Sequence, residues 1–150
     1  MRKFQFKYQA VLHERKMKEG HALELLADAQ HALQKELELK TGLIKELQYS
    51  LERKEQLGVH AVKISEFQSE QAFIIGTKQR MIQADQRVFR AQKSVDRALR
   101  NYSQCKRKSQ IMEELREKYY LEYKKDMKKN DQKQIDDLVV MRFHLKEELI

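Results

Sequence analysis

No proline interrupts the 150 residues of this chain, and apolar side chains return every three or four positions along nearly all of it. A proline inside a helix costs roughly 3 kcal/mol, so a chain this long without one can run as uninterrupted helix. Ala, Leu, Glu, Lys, Gln, Arg and Met dominate, and nowhere do β-branched residues alternate with polar ones over a strand's length. Charged residues, 36% of the total, fill the gaps between the apolar positions. A thin apolar line with charge on both sides is a seam between helices and not a globular core. The predicted fold is all-α, a long two-helix antiparallel coiled-coil hairpin with unequal arms.

The glycines set the expected boundaries. Gly20, Gly42 and Gly76 lie inside strong helical periodicity, where each costs roughly 1 kcal/mol relative to alanine without stopping a helix. Gly58 falls between two patterns that do not continue in phase, so the turn is placed at 57–61 with Gly58 as a left-handed cap. The expected single domain, 1–150, then has one helix over 4–57 and another over 61–148. At about 1.5 Å per residue these arms measure about 80 and 130 Å. This register sets Tyr8 near residue 110 and leaves 116–150 as an overhang with no partner in the hairpin.

Before the turn, the stripe runs through Tyr8, Val11, Leu12, Ala22, Leu26, Ala29, Leu33, Leu37, Ile44, Leu47 and Leu51. The two successive four-residue steps from Ala29 to Leu33 to Leu37 depart from a seven-residue repeat. After the turn, Phe67, Ile74, Met81, Val88 and Val95 hold strict register, with Gln71, Lys78, Asp85 and Gln92 read as the alternate seam positions. Polar residues there predict a narrow, weakly specified interface. Tyr119, Tyr123, Met127, Ile135, Leu138, Met141, Leu145 and Leu149 carry the stripe into the overhang, where an exposed apolar face marks a docking surface.

Net charge is +8, unevenly spread. Residues 1–19 carry +4, 20–76 carry −3, 77–99 carry +4, 100–133 carry +5 and 134–150 carry −2. The expected open end is basic. Lys106-Arg107-Lys108 and the later lysine pairs, with Tyr119, Tyr120 and Tyr123 nearby, have the residue types that track phosphates and stack on bases. The interleaved acids Glu113, Glu114, Glu117, Glu122 and Asp126 make an ordinary mixed coiled-coil face the better account, so no nucleic-acid partner is expected. A basic scaffold for nucleic acid or a cytoskeletal polymer is the rival reading.

Chemistry is sparse. The five histidines, His13, His21, His31, His60 and His144, have no metal-ligand spacing, so no metal is expected. There is no Gly-rich phosphate loop or nucleophile elbow. Asp136-Asp137 and Glu147-Glu148 are sequence neighbours and point about 100° apart on a helix, too far round to share a proton. Cys105 lies at helical spacing from Leu99, Tyr102 and Met112 and reads as a small apolar residue. The expectation is a non-enzyme with no catalytic residue and no cofactor. No stretch reaches the ~18 apolar residues that span a bilayer, and the opening residues lack a secretory apolar run, so a cytoplasmic protein is expected.

The opening Phe4-Gln5-Phe6-Lys7-Tyr8-Gln9-Ala10-Val11-Leu12-His13-Glu14-Arg15, with Glu19 and Ala22-Leu23, resembles the start of the flagellar export protein FliJ family: aromatic-x-aromatic, Gln-x-Val-Leu, then a basic residue and a glutamate. Gly58-Val59, Gln71-Ala72-Phe73-Ile74, Met81-Ile82 and the late Asp131-Gln132-Lys133 with Asp136-Asp137 are similar to later parts of that family. Gly76 and Thr77 depart from it, since a larger apolar residue usually stands there. The resemblance implies a coupling protein of the bacterial flagellar type III export apparatus. Its implied partners are the ring-forming export ATPase and its regulator, the export gate membrane protein and substrate chaperones, with peripheral association at the inner membrane through those partners only. Residue matching puts a tip-side partner surface at Leu47, Leu51, Phe73 and Ile74, and an ATPase-side surface at Tyr8, Val11, Leu12, Arg15, Lys106 and Arg107. Plain seam packing is the alternative for each of these residues.

Overall fold

The computed structural model describes residues 3–61 and 63–148. Leu149 and residue 150, assigned above to the overhang, lie outside the described residues. Two helices account for most of the chain: α1 (Gln9–Val59, 51 residues) and α2 (Ile64–Glu147, 84 residues). The fold is all-α, an antiparallel helical hairpin with arms of unequal length. The chain divides into two compact units, 20–104 and 1–19 with 105–150.

Both ends of α1 differ from expectation. The helix starts at Gln9, not at residue 4, because Phe4 and Phe6 are two apart. An extended segment turns both rings the same way, whereas a helix would set them about 200° apart. The first turn closes through the Gln9 N–H on the Phe6 carbonyl at 3.1 Å and the Leu12 N–H on the Tyr8 carbonyl at 3.0 Å. At the other end α1 runs through Gly58 to Val59, and no described glycine has positive φ. Gly58 is therefore not a left-handed cap. α2 begins where the Lys63 carbonyl accepts the N–H groups of Glu66 and Phe67 at 3.0 and 3.4 Å. Glu66 sits in that first turn, where a carboxylate suits the positive helix end.

In the 20–104 unit, α1 buries or half-buries Ala22, Leu26, Ala29, Leu33, Glu36, Lys40, Leu43, Leu47, Ser50, Lys54 and Leu57. Apart from Ile44, half-buried beside Leu43, these positions alternate steps of four and three without a break. The expected interruption at Leu37 is absent: Leu37 is 39% exposed and Glu36 holds the seam position. On α2 the seam runs through Ile74, Thr77, Met81, Ala84, Val88, Ala91, Val95 and Ala98. The alternate positions lie three residues beyond Ile74, Met81, Val88 and Val95, not four. Small residues occupy them where polar Lys78, Asp85 and Gln92 were expected. Ala84 and Thr77 are fully buried, and Arg80 Nη2 donates to the Thr77 hydroxyl at 3.2 Å. On α2 from Ile74 to Ala98 the seam thus carries small or apolar residues, in place of the lysine, aspartate and glutamine expected there, whereas α1 keeps Glu36, Lys40, Ser50 and Lys54 in it. Cross-helix pairs fix an antiparallel register: Arg53 with Glu70 at 3.9 Å, Lys40 with Asp85 at 2.7 Å, and Lys54 with Gln71 at 2.6 Å.

In the other unit, Phe6, Leu12 and Met112 form a buried cluster, with Phe4 and Leu115 packed against it. Arg15 Nη1 donates to the Lys108 carbonyl at 3.2 Å and Lys16 pairs with Glu113 at 2.8 Å. Leu12 therefore lies beside Met112, and the residues before it reach further along α2 than the expected register allows. Phe4 meets Tyr120 edge-on at 5.2 Å and Tyr123 at 5.5 Å, and Phe6 meets Tyr119 at 5.9 Å. Tyr119, Tyr120 and Tyr123 are partnered, so the overhang does not begin at 116. Met127 is the last half-buried residue of α2, and every described residue from Lys128 onward is exposed.

Candidate partner-binding surfaces

Helical periodicity alone decides which named residues face outward. In the 20–104 unit, Ile74 is 2% exposed and Leu47 half-buried, both as seam residues, whereas Leu51 and Phe73 stand largely clear. Phe73 is 43% exposed, and the Arg80 guanidinium lies 5.6 Å from its ring centre. Among the four expected tip-side residues, only Leu51 and Phe73 offer area to a partner in this conformation. Phe73 also walls a groove with Glu46, Tyr49, Arg53 and Ser69, and Tyr49 is more exposed than Phe73. Sequence reading missed Tyr49 because it sits one position short of the seam at Ser50.

A second groove, about 640 Å³, runs past Leu39, Gly42 and Leu43 of α1 and Arg80 and Arg87 of α2. A methyl group built on Gly42 would meet nothing within 4 Å. The glycine is thus a gap on an open surface and not a close-packing contact. Its signal in the sequence was a helix-weakening residue with no packing reason.

The second unit gathers all six expected open-end residues. Leu12 is 2% exposed and belongs to the core, so it presents nothing to a partner. Tyr8 and Val11 are each 37% exposed, Arg15 is half-buried on its bond to Lys108, and Lys106 and Arg107 are exposed. Tyr8 packs edge-on against Phe6 at 5.9 Å, with the Lys7 ammonium 5.7 Å from its ring centre. One turn on, Glu14 and Lys18 pair at 2.9 Å on the α1 surface. The bond to Lys18 holds the Glu14 carboxyl below its ordinary 4.5, and the same bond raises Lys18 above its ordinary 10.5. The pair thus stays ionised between those values. Glu14's contribution is lost as pH falls through its lowered value, and that of Lys18 is lost as pH rises through its raised one.

Among the described residues, no three His, Cys, Asp or Glu side chains come together as a metal-binding group. No described helix is long and apolar enough to cross a membrane. The surfaces are shallow grooves and exposed stripes on paired helices. Those features define a class, the all-α helical hairpins whose outward side chains are set by a heptad seam. The chain belongs to a particular family within it: residues 4–148 match the family model of the flagellar FliJ protein. No curated protein and no solved structure matches the chain.

Proposed function

We propose that this chain is a non-enzymatic coupling protein of the bacterial flagellar type III export apparatus, acting by binding alone. It joins the export ATPase ring and its regulator to the export gate membrane protein and engages substrate chaperones. It is cytoplasmic and reaches the inner membrane only through those partners. The observation that carries this reading is the family match over 4–148, nearly the full chain and both helices. Paired helices with exposed Leu51 and Phe73 in one unit and exposed Tyr8, Val11, Lys106 and Arg107 in the other supply two separate surfaces, as an adaptor needs. Coupling of this kind works through different affinities for the states of its partners and needs no chemistry in the chain itself.

The test is binding of the full chain to the purified export ATPase, to the soluble domain of the gate and to a filament-substrate chaperone, with duplex DNA as the control. Binding to the ATPase and the gate domain, with little affinity for DNA at any salt, supports the reading. Failure to bind any of the three, with DNA binding that weakens steeply from about 50 to 200 mM salt through counterion release, overturns it.

A further inference from the structure

In the 20–104 unit each helix carries a second apolar row at seven-residue spacing, outside the seam. On α1 it is Leu37, Ile44 and Leu51, each one position after a seam residue, and on α2 it is Ile75, Ile82 and Phe89, one position after Ile74, Met81 and Val88. Residues one position before the seam, Leu39, Arg80 and Arg87, line a single groove together. In an antiparallel pair the residues one position after it therefore share the opposite side. The register of Glu36 with Arg87 and Arg53 with Glu70 brings Leu51 level with Ile75, Ile44 with Ile82 and Leu37 with Phe89, to within about two residues, roughly 3 Å, along the axis. Ile82 is 61% exposed and Phe89 60%, and only Ile44 of the six is half-buried. Ile82 lies about 180° round α2 from Phe73, so this side is not the Phe73 groove. Two parallel apolar rows on paired helices are the cradle into which a third helix packs.

Charge indicates what covers it. The chain is 36% charged, yet the outer edge of this side on α1 is Gln34, Thr41 and Gln48. On α2, Lys78 and Asp85 lie among the apolar residues. Asp85 is taken by Lys40 at 2.7 Å, whereas among the described residues the Lys78 ammonium has no carboxylate partner. Lys93 stands over the Phe89 ring, 4.5 Å from its centre. The face is thus apolar with two cations and no free acid. We propose that it docks an amphipathic helix of a partner protein, apolar along the apposed stripe for about two heptads and carrying carboxylates beside it to meet Lys78 and Lys93. A second copy of this chain would bring no free carboxylate to Lys78, since Asp85 is already paired. A lipid surface fits less well, because glutamines and a threonine edge the face in place of lysines and arginines.

Fluorescence anisotropy of the full chain with two synthetic peptides tests this. One is a three-heptad helical peptide with a leucine stripe flanked by glutamates, and the other has lysine in place of each glutamate. The glutamate peptide should bind, and the lysine peptide should bind roughly tenfold more weakly. Lys78→Glu with Lys93→Glu should reverse that order, an arm that alters only exposed side chains. Ile82→Glu should abolish binding of both peptides with the melting midpoint unchanged, and Phe73→Ala, on the other side, should alter neither affinity. A wild-type chain that binds neither peptide overturns the proposal, as does binding indifferent to Ile82→Glu or to the charge reversal. So does a dimer dissolved by Ile82→Glu, which would give the face to a second copy. Binding to phosphatidylglycerol vesicles that the same variant abolishes also overturns it, by giving the face to a membrane.

Discussion

Arg87 meets Glu36 across the helix pair, Nε to Oε2 at 3.1 Å, at a seam position where a leucine would ordinarily stand. Lys40, one turn further along α1, meets Asp85 at 2.7 Å. Two charged pairs thus take the middle of the seam, between apolar Leu33 and Leu43 on α1. Their side chains are about a quarter to a half exposed, so water screens them and each contributes at most about 1 kcal/mol. Their value lies in register, since a slip of the helices would leave charges facing apolar residues.

Replacing Glu36 with leucine should therefore cost little in urea melts and, by filling the seam, add up to about 1 kcal/mol. Glu36→Lys sets a second cation against Arg87 and should lower stability by about 1–2 kcal/mol. Equal effects of the two changes would show that Glu36 is not in the seam.

The same logic separates Ala84 from Gln92. Ala84 is completely buried, so Ala84→Leu forces extra volume between the helices and should cost about 1–3 kcal/mol. Gln92 is exposed and bonds Asp96 on its own helix at 3.1 Å, so Gln92→Leu should change the melting midpoint little. The opposite ranking would restore the polar seam that the sequence suggested.

These two sites show what the sequence made legible and what it did not. The helices, their antiparallel pairing and the seam positions Ile74, Met81, Val88 and Val95 followed from spacing. The alternate positions did not, because three or four residues onward are both permitted steps on a helix. Alanine, serine and threonine give no strong apolar signal to choose between them. Glu36 was passed over for Leu37 for the same reason: residue type suggested one position, and only the pairing partner on α2 decided the other. At the start of the chain, Phe4 and Phe6 carried a legible period of two that was absorbed into the helix expected over 4–57, whereas the helix begins only at Gln9.

For the docking surface, Phe73 and Ile74 are adjacent yet separable. Phe73→Ala removes an exposed ring, so helicity and melting should hold within about 0.5 kcal/mol while affinity for the export gate falls. Ile74→Ala opens the seam and should cost about 2–4 kcal/mol. Should Phe73→Ala melt as early as Ile74→Ala, the ring is a packing residue and not part of a docking surface. Normal gate binding by a stable Phe73→Ala chain would likewise remove Phe73 from the surface.

Two truncations read the far part of α2. Stopping after Leu115 removes Tyr119, Tyr120 and Tyr123, the rings against which Phe4 and Phe6 pack. Aromatic contacts of this kind contribute about 0.5–1.5 kcal/mol each beyond the area they bury, and Phe6 is itself in the core with Leu12 and Met112. That truncation should lower the melting midpoint and free the residues before Gln9 to proteolysis. Stopping after Met127 removes only residues whose described side chains are exposed, so the midpoint should stay close to that of the full chain. Loss of binding to the export ATPase or a chaperone in this longer truncation, with the fold intact, would place a docking surface beyond Met127. A midpoint that falls as far for the longer chain as for the shorter would instead show that the segment after Met127 packs onto the rest of the protein, contrary to the exposure of its described residues, 128–148.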